Sequence, residues 1–116
     1  MTPRLSIIPF SVFCYLGLLV QWSDQNIDLG SIHKDSAISK HIWAVNHSEH
    51  NWQIENIQSA CGCITTIESK RLIAPNDTFK LRINFKPFQK GDQHKSIVVY
   101  SNLGLFEIWL HAKVSN

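Results

Sequence analysis

Between Phe79 and Lys86 the chain reads FKLRINFK, and every second residue is apolar. Phe79, Leu81, Ile83 and Phe85 alternate with Lys80, Arg82, Asn84 and Lys86. Successive side chains of an extended strand point to opposite faces, so this stretch has one apolar and one polar face. That suits a strand of a sheet packed on one side. The run LFEIWLHAKV, Leu105 to Val114, repeats the pattern. Phe106, Ile108, Leu110, Ala112 and Val114 face one way, and Glu107, His111 and Lys113 the other. Trp109 falls on the polar side, where it covers a sheet edge or meets a partner. Weaker alternation runs from Ile27 to Ile32, Ile38 to Val45, Trp52 to Ile57, Ile64 to Ile67 and Lys95 to Tyr100. Polar or turn-forming clusters separate these segments: Asn46 to Asn51, Ala74-Pro75-Asn76-Asp77, Lys90-Gly91-Asp92 and Asn102 to Gly104. No segment keeps a 3.6-residue apolar period. About seven short strands so spaced predict a single all-β sandwich over residues 25–116.

The first 24 residues obey a different rule. Arg4 is followed by an uncharged run from Leu5 to Val20, and charge returns only at Asp24. A positive head before such a run marks an export signal or an N-terminal membrane anchor. The run is borderline for crossing a bilayer, which takes about 20 residues, and Pro9 interrupts it. Gln21, Trp22 and Ser23 lack the small pair that signal peptidase prefers, so an uncleaved anchor stands beside a removed signal. A lipoprotein reading of Cys14 fails because Val12 and Phe13 occupy positions that need small residues. The segment therefore directs the remainder outward, which in a bacterial cell means the periplasm or the periplasmic face of the inner membrane. Net charge is +2, and only Lys70-Arg71 are adjacent basic residues. A chain so lightly and evenly charged has no stripe for nucleic acid.

Read in order, IDLGSI, IWAVN, IENIQSACGC, IAPND, FKLRINFKP and KGDQHKSIVVYSN form a recognisable series. The series resembles the bacterial domain of unknown function numbered fifteen seventy-three, a family of exported immunoglobulin-like modules related to Ig-like domains of ciliary and centrosomal proteins. Its pattern has a Phe-Gly pair in the first strand and an Asn ending the second. A Ser-Cys-Gly-Cys-Thr block, a Pro-Gly turn and a strand ending in Asn follow. Here Leu29 stands before Gly30, Ala60 precedes Cys61, Ile64 replaces the first threonine, and Asn76 takes the turn glycine's place. Asn tolerates positive φ, so the last change is mild. The resemblance implies an Ig-like fold and an exported address, and it implies no reaction.

Cys61 and Cys63 flank Gly62. In an extended strand, residues two apart have Cα atoms about 6.6 Å apart, the upper limit for a disulfide. Gly62 permits the bend that would close the gap. A three-residue loop removes unfolded-chain entropy worth on the order of 1.5 kcal/mol, so the bridge would be a weak staple. Four readings stand: an intrachain disulfide favoured by an oxidising compartment, a redox-active pair, a soft-metal site completed by histidines, and bonds to another chain. The disulfide is the simplest, and Cys61 and Cys63 remain only weak metal candidates.

Of six histidines, His47 and His50 share the polar turn HSEH and could ligate a metal jointly, but a solvated loop is the ordinary explanation and the favoured one, since no known metal-motif spacing accompanies them. His111 lies on the polar face of the last strand, where solvent exposure accounts for it. Asn46-His47-Ser48 and Asn76-Asp77-Thr78 match the glycosylation pattern, which matters only in a eukaryotic secretory pathway. No nucleophile elbow, glycine-rich phosphate loop, HExxH or paired acidic motif is present. The sequence therefore predicts no catalytic residue, no cofactor and no enzyme. It predicts an interaction or structural module that meets a protein partner by a strand edge or a loop end, with Trp43 or Trp109 as anchor, and that meets the membrane through the leader if this is uncleaved. Thiol or copper handling at Cys61 and Cys63 is the alternative.

Overall fold

A computed structural model describes residues 19–116. Over them the chain forms β1 (Val20–Trp22), β2 (Asn26–His33), β3 (Ile38–Asn46), β4 (Trp52–Ser59), β5 (Ile64–Glu68), β6 (Leu72–Ile73), β7 (Thr78–Phe85), β8 (Gly91–Ser101) and β9 (Gly104–Ser115). Cys14 and the expected leader through residue 18 lie outside the described residues. Two sheets face each other: β1-β3-β7-β5, and β2-β9-β8-β4-β6. All pairings are antiparallel except β2 with β9. The fold is an Ig-like β-sandwich.

The alternation that defined the strands also builds the core. Phe79, Leu81, Ile83 and Phe85 of β7 and Ile108, Leu110, Ala112 and Val114 of β9 all point inward and are buried. Each large side chain so buried contributes about 1.5–3 kcal/mol. At one end Trp22, Trp52, Phe79 and Phe106 form an aromatic cluster with centroids 5.4–6.2 Å apart, Trp22 and Phe79 meeting edge-on. Trp22 belongs to β1, whose residues pair with Asn46, Val45 and Ala44 of β3. Among the described residues the sandwich thus already includes Val20–Trp22, inside the stretch the sequence assigned to the leader. Three residues are too few to display alternation, and β1 continues the preceding apolar run without a break.

Two asparagines at strand ends act as clamps. Asn46, closing β3, is fully buried. Its Nδ2 donates to the carbonyl oxygens of His50 and Ile73, both at 2.9 Å. Its Oδ1 accepts from Ser48 N and Ser48 Oγ. Asn102, in the turn after β8, donates from Nδ2 to Asn51 O and accepts at Oδ1 from Gln53 N. Each uses the amide's paired donor and acceptor; Asn46 joins segments that the ladders leave apart, and Asn102 extends the β4–β8 pairing beyond Ser101. Ala74 to Asp77 closes as a turn, with Asp77 N donating to Ala74 O and Asn76 at φ 68°. A positive φ after Pro75 is what a type II turn requires.

Candidate functional site

The four-stranded sheet has an incomplete edge. β1 covers only Ala44–Asn46 of β3. Beyond it, Ser23 satisfies Trp43: Ser23 N donates to Trp43 O at 2.8 Å, and Trp43 N donates to Ser23 Oγ at 3.0 Å. These bonds show that Trp43 turns its backbone polar groups away from β7. Along a strand the direction alternates, so His41 and Ser39 turn theirs to the same side. Among the described residues no strand pairs with them there. Trp43 itself is 52% exposed on the outer face beside this gap. Trp109, the other anchor candidate, is 37% exposed on the opposite sheet.

The cysteines sit at the β4–β5 turn, outside either strand. Their Cα atoms are 5.2 Å apart and their sulfurs are in bonding contact. The bend differs from the one expected, because Gly62 does not enter the positive-φ region. Side chains and backbone around it hold the shape: Ser59 Oγ donates to Cys61 O and Ile64 O, Ile64 N donates to Cys61 O, and Lys86 N donates to Cys63 O. The adjoining cavity, bordered by Phe88 and Lys95, measures about 20 Å³. That is room for about one water.

The histidines separate into unrelated settings. His47 Nε2 lies 2.9 Å from Gln21 Oε1, and His50 is engaged through its backbone with Ser48. Among the described residues no group of three or more metal-ligating side chains is assembled. His94 and His111, by contrast, stand directly opposite each other on β8 and β9 with Nδ1 atoms 2.6 Å apart. The sequence reading left His111 to solvent and gave His94 no role. A signal existed: the tight turn between Ser101 and Gly104, which are themselves paired, fixes the register that brings His94 to His111.

A profile of the family described as "Protein of unknown function (DUF1573)" matches residues 20–114. The chain belongs to that family. A search of curated proteins finds no match. Among solved structures the DUF1573 domain is similar to a protein of unknown function from Porphyromonas gingivalis W83, with TM-score 0.72 and 16% identity over 82% of this chain and 46% of that one. It is also similar to the ASH/PapD-like domain 7 of human CEP192, with TM-score 0.69 and 12% identity over 84% and 86% of the two chains. A third is SSP-19, an MSP-domain protein of Caenorhabditis elegans, with TM-score 0.63 and 11% identity over 80% and 98%. The chain spans about half of the P. gingivalis protein's length, and at these identities the likeness concerns the fold.

Several positions that carried the resemblance have structural duties in the DUF1573 domain. Asn46 and Asn102 are the two clamps, and Asn76 is the positive-φ turn residue. Gly30, at φ 72°, follows a break in register between Asp28 and Gly30 in the β2–β9 ladder. There Asp28 Oδ1 accepts from Gly30 N at 2.9 Å. The buried, doubly donating amide of Asn46 also removes it as a glycan acceptor, whereas Asn76 is exposed.

Proposed function

We propose that this DUF1573 domain is an exported, non-enzymatic interaction module on the periplasmic side of the membrane, and that it takes up an extended segment of a partner protein along the free edge of β3. Export is supported by the uncharged run behind Arg4. The edge reading is carried by one observation: the N–H and C=O groups of Ser39 and His41 face a side where no strand among the described residues pairs with them. A backbone so oriented offers two donors and two acceptors in strand register, which is what an added strand requires. Trp43 next to it supplies the large apolar contact that dominates such interfaces.

Proline tests this directly. His41 does not turn its N–H toward β7, so His41→Pro removes an edge donor while keeping the ladder inside the sheet. Partner capture from cells expressing the full-length protein should be lost in His41→Pro and reduced in Trp43→Ala. Replacing both cysteines with serine should leave it unchanged. Undiminished capture by a folded His41→Pro protein would sink the proposal.

A further inference from the structure

The outer face of the five-stranded sheet carries a row of side chains that the interaction role does not use. Asp28 on β2 pairs in register with His111 on β9, and His111 pairs with His94 on β8. Asp28, His111 and His94 therefore stand side by side across three adjacent strands. They border an open cavity of about 270 Å³, together with Asp92 and Lys113. The imidazoles meet with ring centroids 4.7 Å apart, and their Nδ1 atoms are 2.6 Å apart.

We infer that His94 and His111 form a chelating site for a divalent transition-metal cation, copper(II) above zinc, on this face. Imidazole nitrogen is a favoured ligand of both ions. In the free protein the two Nδ1 atoms share a hydrogen bond, and a cation would take the place of the shared proton. The two strands are hydrogen-bonded to each other, so little backbone freedom is lost on binding. With metal–nitrogen bonds of about 2.0 Å, neighbouring ligands at right angles lie about 2.8 Å apart, and tetrahedral ligands about 3.3 Å. The observed separation needs only a small opening to reach the first arrangement and a much larger one to reach the second. Right-angled coordination belongs to tetragonal copper(II), which also heads the intrinsic affinity order. Asp28 adds negative charge to the row, with its carboxylate already oriented by Gly30 N. Asp92 adds more, opposed by Lys113, its register partner. Two protein nitrogens leave the remaining positions to water or to an exogenous ligand, for which the open cavity has space.

The test is titration of the tag-free full-length chain with copper(II), followed by visible absorption and electron paramagnetic resonance. One equivalent should bind with the signature of two coordinated nitrogens. His94→Ala and His111→Ala should each weaken binding by about tenfold or more, and Asp28→Asn by several-fold, with thermal unfolding unchanged. His50→Ala, in the turn at β4, should bind like the parent. Zinc should compete poorly. Binding that survives both histidine substitutions would overturn the site, as would binding lost in His50→Ala. Tighter binding of zinc than of copper would overturn the choice of metal.

Discussion

The side-chain amide of Asn46 donates to the carbonyl oxygen of Ile73, 27 positions further along the chain, in a setting closed to water. The same amide reaches His50 O, and its oxygen accepts from Ser48 N and Ser48 Oγ. Asn46 N donates to Asp77 O, and Asn46 O accepts from Asn76 N. One residue thus ties the end of β3 to the following turn, to β6 and to the turn before β7.

Asn46→Ala should therefore be severe. It strips donors from two carbonyls and an acceptor from Ser48, and each orphaned buried group costs about 1–3 kcal/mol. A total loss of at least about 3 kcal/mol is expected, which in a domain this size lowers Tm by roughly 12 °C or more. Asn102→Ala, which removes a comparable clamp in an exposed turn, should cost about 1 kcal/mol. Equal losses in the two variants, measured by urea unfolding, would contradict the role of burial.

Asn76 occupies a left-handed conformation at φ 68°. A side chain with Cβ is strained there, and Asn is strained less than most because its amide bonds locally. Asn76→Gly should stay within about 0.5 kcal/mol of the parent, because relief of strain offsets the entropy glycine adds to the unfolded chain. Asn76→Ala should lose about 1 kcal/mol. A reversed order of urea midpoints at constant slope would show that the turn does not impose this φ.

The carboxyl pKa of Asp77 is lowered, first by the hydrogen bond from Lys70 and then by the one from Thr78 N. The folded state therefore favours the ionised form. The resulting stabilisation is fully present above the unfolded carboxyl value of about 3.9, and it is lost as pH falls through the lower folded value. Asp77→Asn keeps an acceptor for Thr78 N but abolishes the charge. The Tm difference between parent and variant should be largest near neutrality and should shrink as pH falls below the ordinary carboxyl range. It should also shrink in high salt, since both partners are solvent-exposed. A difference that does not change with pH would assign the effect to packing.

Much of the sandwich was legible because burial is one-sided. Alternating positions in β7 and β9 told inside from outside residue by residue, and the other five long strands followed the same rule more weakly. β1 and β6 were not legible, at three and two residues, because a period of two needs more repeats to show. The clamp role of Asn46 was visible only as a position in the family pattern, since its partners lie in three separate segments. The His94–His111 pair required the β8–β9 register, and the Asp28 neighbour required a parallel pairing that no local signal announces. The free edge of β3 was the least accessible, because it depends on where β1 stops.

The Cys61–Cys63 link closes so short a loop that its contribution is bounded by geometry. Loop-closure entropy gives on the order of 1.5 kcal/mol, and the hydrogen bonds from Ser59, Ile64 and Lys86 already hold the turn without it. The double substitution Cys61→Ser, Cys63→Ser should therefore lower stability by no more than about 1.5 kcal/mol and leave unfolding cooperative. Gly62→Ala should be nearly neutral, since a Cβ there would meet nothing within 4 Å and the backbone is outside the left-handed region. Intact mass of the protein isolated from cells without reductant should show two hydrogens fewer than the reduced form. A collapse of folding in the double variant would mean that the link, and not the surrounding hydrogen bonds, shapes this end of the sandwich.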